Sequence, residues 1–143
     1  MNNMLKNIMI VAGVQEIMVG ILHFMMPYFL NQSEGFLQLS SIEMDFVMLV
    51  TFATGILLVA FGGVTLLLSK IDSSMIKVLY YYLWIKIILW ATRVVLELVY
   101  PVNLDMFYIN PFTLAVFPGL VSELGLFIIA MFLVRKIIAR GLS

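Results

Sequence analysis

The stretch GVQEIMVGILHF, residues 13–24, places a glutamate and a histidine inside an apolar run. That run extends from Ile8 to Leu30, and about 20 apolar residues suffice to cross a bilayer as an α-helix. Three further runs of similar length follow, at Phe46–Leu68, Val78–Tyr100 and Phe112–Val134. The sequence therefore predicts a single all-α membrane domain over 1–143, an integral membrane four-helix bundle.

The composition also favours a membrane protein. The chain has 143 residues, of which 64% are hydrophobic and 11% are charged. Soluble domains are about half apolar and about a quarter charged. Eight basic residues balance eight acidic ones, so no basic surface for nucleic acid is visible. There is no cysteine and only one histidine, and the sequence therefore predicts no metal site within one chain.

The segments between the runs indicate an orientation in the membrane. The first and third loops contain no lysine or arginine, whereas the N-terminus, the second loop and the C-terminus together contain Lys6, Lys70, Lys77, Arg135, Lys136 and Arg140. Under the positive-inside rule both termini are cytoplasmic, in a multi-pass protein of the plasma or inner membrane. The first run is too long for a cleavable signal peptide, so we expect it to be retained. Ser40 with Glu43 forms a capping-box pattern at the start of the second helix.

Ionisable residues inside the predicted spans are the candidates for function. There are six of them: Glu16, His23, Lys86, Arg93, Glu97 and Glu123. A charge at the centre of a membrane helix costs about 2.5–3.5 kcal/mol on insertion scales. Because six such charges facing lipid would strongly oppose insertion, we expect them to face the bundle interior.

Their spacing supports an interior position. Residues three and four positions apart lie on one face of a helix, and each predicted helix has one such polar or small-residue face. Glycines on such a face let a neighbouring helix approach closely. The four faces are Gly13, Glu16, Gly20, His23 and Pro27; Thr51, Gly55 and Gly62; Tyr82, Lys86, Trp90, Arg93 and Glu97; and Gly119, Ser122 and Glu123.

The depth of these residues divides them into two groups. At about 1.5 Å per residue, Glu16, Lys86 and Glu123 fall near the midplane, while His23, Arg93 and Glu97 lie further out. Three acids then face two permanent bases, so either His23 is protonated or one carboxyl retains a proton. An interior set that is off balance by one proton is a proton-responsive element.

The leading functional hypothesis is a ligand-binding or proton-relay site near the outer half of the bilayer, formed by these six residues. A small lipophilic or anionic ligand would be anchored by Arg93. An alternative makes the chain an accessory subunit of a larger membrane complex, such as a respiratory assembly, and another makes it a homo-oligomeric small transporter. A purely structural role is a further alternative, in which buried charged pairs only set the register of the helices. An enzyme is the least favoured class, because no nucleophile–base pair is visible.

Two segments resemble small four-helix membrane proteins of the DoxX-like group. They are GILHFMMP, residues 20–27, and TGILLVAFGGVTLLL, residues 54–68. The resemblance covers helices one and two, and KIILWATRVVLELVYP, residues 86–101, is not part of it. It implies a four-helix membrane fold, and it leaves a quinone open as a cofactor because such families include quinol-linked respiratory subunits. Haem is the other cofactor left open, with His23 as an axial ligand.

Overall fold

The computed structural model describes residues 3–30, 37–99 and 116–141, except for the side chains of residues 29, 30, 73, 116 and 141. Within these ranges no β-strand occurs, which confirms the all-α prediction. The elements are α1 Asn3–Leu30, α2 Ser41–Leu68, α3 Ile76–Val99 and α4 Val116–Gly141, with a short 3-10 helix at Ser73–Met75 before α3.

Three of these helices are long and apolar enough to cross a membrane. They are the segments Asn3–Tyr28, Ser41–Leu68 and Phe117–Arg140. The sequence predicts four spans, whereas three of the described helices meet this criterion of length and apolarity and α3 does not. α3 is long enough, at 24 residues, but it contains four charged side chains and three consecutive tyrosines, which lower its mean hydropathy. The charged residues of α3 are Lys77, Lys86, Arg93 and Glu97.

The start of α2 is the predicted capping box. The backbone N–H and the hydroxyl of Ser40 donate to Oε2 of Glu43 at 2.8 and 2.7 Å. The backbone N–H of Glu43 donates in return to the Ser40 hydroxyl at 3.4 Å. Such reciprocal bonds satisfy backbone donors that the first turn of a helix leaves without intrahelical partners. The helix accordingly begins at Ser41, before the predicted start of the apolar run at Phe46.

The chain divides into two compact units. One is formed by Met1–Ala12 together with Thr65–Ser143, and the other by Gly13–Val64. We call the first the composite unit and the second the hairpin unit, because the second is one contiguous segment that contains most of α1 and α2. The sequence prediction of one domain over the whole chain stays a prediction.

In the hairpin unit, α1 and α2 approach each other at glycines. A Cβ atom on Gly62 would lie 2.7 Å from the carbonyl oxygen of Gly13, and one on Gly20 would lie 2.8 Å from that of Gly55. Contact partners thus advance along α1 while they recede along α2, so the two helices run antiparallel. With no side chain between them at these points, the two backbones are in direct contact, as the predicted glycine faces require.

In the composite unit, α3 packs on α4. The buried side chains of both helices recur at intervals of three and four residues, which gives each helix one continuous contact face. The N-terminal part of α1 contributes three further fully buried side chains to the same unit. The buried hydrophobic residues of the composite unit are Leu5, Met9, Ala12, Leu79, Leu83, Trp90, Leu120, Phe127, Ala130, Met131 and Val134.

The exposed surfaces of the helices are strongly apolar. Each helix exposes several large hydrophobic side chains, among them Met18, Leu49, Ile88 and Phe132. The fully buried side chains, by contrast, include two glutamates and a lysine. Charged residues of soluble proteins are almost never fully buried unless paired, and they normally cover the surface. This distribution, with charge inside and hydrocarbon outside, is the one that a lipid environment favours.

Candidate functional site

Three of the six predicted site residues are completely buried. The exposed fraction is 0% for Glu16 and 1% each for Lys86 and Glu123. Lys86 and Glu123 belong to the composite unit, and Glu16 belongs to the hairpin unit. Removing an ion from water costs several kcal/mol unless other groups compensate for it. The buried Lys86 and Glu123 therefore define the candidate functional site of the composite unit.

Aromatic rings surround the ammonium group of Lys86. Its Nζ atom lies 5.1 Å from the centroid of the Phe127 ring and 5.9 Å from that of the Tyr82 ring. Both distances are within the range of about 6 Å over which a cation is attracted to a ring face. Tyr82 precedes Lys86 by one turn on α3, while Phe127 lies on α4. The cation is thus held between the two helices of the composite unit.

Buried hydroxyl groups lead from the end of α2 to Tyr82. The Tyr82 hydroxyl and the Thr65 hydroxyl are 2.6 Å apart, and either group is able to donate in this hydrogen bond. One turn further along the chain, the buried Ser69 hydroxyl donates to the carbonyl oxygen of Leu66 at 2.7 Å. Residues four apart share a helix face, so Thr65 and Ser69 lie along one line. The line runs from the C-terminal end of α2 towards the ring beside Lys86.

Glu123 lies on the same buried face of α4 as Phe127. The two residues are four positions apart, which is about one helical turn. Both carboxyl oxygens of Glu123 are buried. An acid and a base of opposite charge are therefore enclosed in one unit, with the Phe127 ring in contact with the base. We call this group the Lys86 cluster, and its members are Thr65, Ser69, Tyr82, Lys86, Glu123 and Phe127.

Arg93 and Glu97 form an ion pair within α3. The distance from Nη2 of Arg93 to Oε2 of Glu97 is 2.7 Å, and the side chains are 44% and 12% exposed. The sequence predicts that Arg93 faces the interior, whereas its side chain is 44% exposed and pairs with Glu97 of its own helix; its role as a ligand anchor stays a prediction. The Oε2 atom of Glu97 is buried while the Arg93 side chain is well exposed, and ion pairs with an exposed partner contribute about 0–1 kcal/mol to stability. The pair therefore adds little to the stability of the composite unit.

His23 lies in the hairpin unit and is partly buried. Its Nδ1–H donates to the carbonyl oxygen of Val19 at 2.8 Å, because a carbonyl oxygen only accepts. In the part of the chain that the structure describes, no group of three or more histidine, cysteine, aspartate or glutamate side chains is arranged to hold a metal ion. The axial role of His23 towards haem stays a prediction.

The face predicted for α1 is buried almost throughout. Gly13, Glu16, Gly20 and Pro27 are buried, and His23 is partly buried. On α3 the prediction holds for Lys86 and Trp90, while burial decreases beyond them, at Arg93. The same spacing, continued from Lys86 towards the N-terminal end of α3, reaches the buried Leu83 and Leu79.

The sequence interpretation did not include Thr65, Ser69 and Phe127. Thr65 and Ser69 continue the Thr51, Gly55 and Gly62 face of α2 at the same spacing of three and four residues, so the signal was present. Phe127 follows Glu123 by four positions and looks like an ordinary core residue. Only its distance to the Lys86 ammonium identifies it as part of a polar site.

The predicted ends of α3 and α4 lie partly outside the described residues. This applies to Tyr100 at the end of the third predicted span and to residues 112–115 at the start of the fourth. No family model matches the chain, and no curated protein or solved structure matches it either. The resemblance to DoxX-like proteins therefore stays a prediction, and the functional inference depends on the residues themselves.

Proposed function

We propose that this chain is a multi-pass membrane protein whose Lys86 cluster relays protons between the inner membrane surface and Glu123, as the inner half of a proton pathway across the membrane. One observation carries the proposal: a completely buried lysine is held between α3 and α4, beside Tyr82, whose hydroxyl is hydrogen-bonded to the buried Thr65 of α2. Intramembrane ionisable residues mark proton or substrate pathways more often than they serve packing alone.

The chemistry of the cluster suits proton transfer. Hydroxyl groups both donate and accept, so each of Ser69, Thr65 and Tyr82 is able to take a proton on one side while it releases one on the other. Lysine, unlike arginine, is able to lose its proton when it is buried. In the last step the Lys86 ammonium gives a proton to the Glu123 carboxylate, which leaves an amine and a carboxylic acid with no change in net charge.

The direction of access is from the inner side. Thr65 and Ser69 lie at the end of α2 that leads into the second loop, beside the basic residues Lys70 and Lys77. The positive-inside rule assigns that loop to the cytoplasm. The hydroxyl line thus favours a site that opens inwards from the midplane, rather than the outer-half site that the sequence analysis predicts.

A relay of this kind requires α3 to cross the membrane as well. Its 24 residues extend about 36 Å, longer than the hydrocarbon core of about 30 Å. If α3 stayed on the cytoplasmic side, α4 would deliver Arg135, Lys136 and Arg140 to the outside, against the positive-inside rule. The charge distribution therefore favours four spans with cytoplasmic termini, in the plasma or inner membrane.

Single cysteines test this topology, and the chain has no native cysteine to interfere. In right-side-out membrane vesicles, Gln38→Cys is expected to react with a membrane-impermeant maleimide from outside. Ser74→Cys and Ser143→Cys are expected to react only after permeabilisation. Labelling of Ser143→Cys from outside, with Ser74→Cys still protected, would mean that only three helices cross.

Proton flux into proteoliposomes tests the relay itself. With a potassium diffusion potential and a pH-sensitive dye inside the vesicles, the wild-type protein is expected to carry protons above the rate of empty vesicles. Tyr82→Phe keeps the ring beside Lys86 and removes only the hydroxyl, so flux is expected to fall about a hundredfold, as for loss of a positioned proton-transfer group. Lys86→Met is expected to abolish it.

Tyr81→Phe is the matched control, because Tyr81 is the exposed neighbour of Tyr82 on the same helix. Its flux should equal that of the wild-type protein. Each variant is checked for helical content and thermal stability in the same lipid. A wild-type flux no higher than that of empty vesicles, or equal losses for both tyrosine variants, would rule out the relay.

A second candidate function, an accessory subunit of a larger membrane complex, is favoured by Arg93. Its exposed guanidinium in the outward part of α3 is available to a neighbouring chain in a way that Lys86 is not. Native mass spectrometry of the protein, extracted gently from its own membrane, tests this function. Other polypeptides that are released with the wild-type protein and lost with Arg93→Ala would support it.

A further inference from the structure

A shallow groove of about 180 Å³ lies between α3 and α4, on the surface of the composite unit. Five of its six lining residues are apolar, and the sixth is Arg135. The α4 residues of the groove follow one helix face, and Arg135 stands at its C-terminal end. The lining consists of Trp84, Ile87, Ile128, Met131, Phe132 and Arg135.

One wall of the groove is held in place by aromatic packing. The Trp84 ring meets the Tyr80 ring edge to face, with centroids 6.5 Å apart. Tyr80 in turn packs edge to face on Tyr81, at 5.7 Å. Such contacts are worth about 0.5–1.5 kcal/mol beyond the area they bury, and they favour the observed orientation of the indole. The groove is therefore available without rearrangement of this wall.

The groove has the polarity of an amphiphile. From Arg135 back to Ile128 is seven residues, about 10 Å along the helix, and this length is lined by hydrocarbon apart from the guanidinium at its end. An arginine guanidinium binds phosphate oxygens through two parallel hydrogen bonds. In the topology proposed above, Arg135 lies at the cytoplasmic end of α4, where the inner leaflet presents anionic lipid headgroups.

We infer that this groove is a binding site for an anionic phospholipid of the inner leaflet. One acyl chain lies along Trp84, Ile128 and Phe132, and the lipid phosphate accepts hydrogen bonds from Arg135. The inference depends on the membrane location and topology proposed above, but not on the proton relay. Because phosphatidylcholine carries the same chains and a phosphate with a compensating cation, it is the comparison lipid.

The fluorescence of Trp84 reports whether a lipid occupies the groove, because Trp84 lines it. The chain has two tryptophans, and the buried Trp90 is replaced in Trp90→Phe so that Trp84 alone fluoresces. The protein is placed in vesicles of phosphatidylcholine that contain a minor fraction of a lipid with brominated acyl chains, which quench tryptophan on contact. If Trp90→Phe does not fold, the difference in emission between the wild-type protein and Trp84→Phe gives the same signal.

Brominated phosphatidylglycerol is expected to quench Trp84 with about fivefold higher apparent affinity than brominated phosphatidylcholine, because one cation near an anionic lipid contributes on this scale. Arg135→Gln should remove the preference, whereas Lys136→Gln should retain it, since Lys136 does not line the groove. Equal quenching by both lipids, or the same loss with Lys136→Gln, would overturn the site while leaving the membrane location intact.

No quenching by either lipid would mean that another surface, such as a second copy of the chain, covers Trp84 or that the chain lies outside the bilayer. That outcome overturns the site as well. A relay that fails in the flux assay while the lipid preference persists would reject the proposed function alone. The two proposals are thus tested separately.

Discussion

Gly62→Ala is expected to destabilise the hairpin unit by about 1–3 kcal/mol, the usual cost of an overpacked contact. A Cβ atom at this position would lie 2.7 Å from the carbonyl oxygen of Gly13 and 3.0 Å from the backbone nitrogen of Ile17. These neighbours are backbone atoms, so they are not able to rotate away as a side chain would. The two helices would have to separate, and the contact between Gly20 and Gly55 would loosen with them.

Gly63 provides the control for this prediction. No atom lies within 4 Å of a Cβ added there, so Gly63→Ala should be neutral or should stabilise the helix by up to about 1 kcal/mol, the propensity difference between the two residues. Thermal unfolding of both variants, in the same detergent micelle and followed by circular dichroism, gives the comparison. Equal effects at the two positions would show that the glycines of α2 do not act through close helix contact.

Lys86→Met and Glu123→Gln are each expected to cost about 3–5 kcal/mol, because in the proposed relay the two buried groups compensate each other's charge and each single change leaves the other uncompensated. If the two groups compensate each other, the double variant should cost less than the sum of the single variants. The coupling energy in such a cycle is expected to be about 1–3 kcal/mol. The physical basis is the shared enclosure of the two charges, since Lys86 Nζ lies over the Phe127 ring one turn from Glu123.

The ion pair between Arg93 and Glu97, both on α3, is the control for this cycle. Arg93→Met and Glu97→Gln remove a pair whose side chains are 44% and 12% exposed, whereas Lys86 and Glu123 are each 1% exposed. Each change should cost about 0–1 kcal/mol, with a coupling energy too small to resolve. Unfolding free energies of both cycles are measured in one detergent. Strict additivity for Lys86 and Glu123 would mean that Glu123 is not the counter-ion of Lys86, and the last step of the proposed relay would lose its basis.

The spacing of residues predicted the buried faces well where small and polar residues coincide. On α1 the alternation of Gly13, Glu16, Gly20 and Pro27 marks one face, because a glycine and a carboxylate are both unfavourable towards lipid. The same glycines predict the close approach of a neighbouring helix, and in the hairpin unit that neighbour is α2, where Gly20 meets Gly55. Local patterns of this kind carry enough information because the helix period alone determines the face.

Other features depend on tertiary distances that a pattern does not contain. The spacing that groups Lys86 with Arg93 is correct for the helix face, but it does not tell how far along α3 the packing extends. The hydrogen bond between Thr65 and Tyr82 joins residues of different helices, and no periodicity indicates it. The difference between four predicted spans and three apolar helices has a similar origin. A charged residue such as Lys86 lowers the mean hydropathy of α3, even though its side chain is buried inside the protein.

The division of the chain into a contiguous hairpin and a composite unit has a consequence for the order of folding. The contacts of Gly13–Val64 join residues that are close in sequence, and chains synthesised from the N-terminus form such contacts first. The first twelve residues, in contrast, pack with Thr65–Ser143, which is made last. Leu5 and Met9 therefore remain without their final neighbours until α3 and α4 have been made, and a nascent chain released after α2 should have a paired hairpin in which Leu5 and Met9 are exposed.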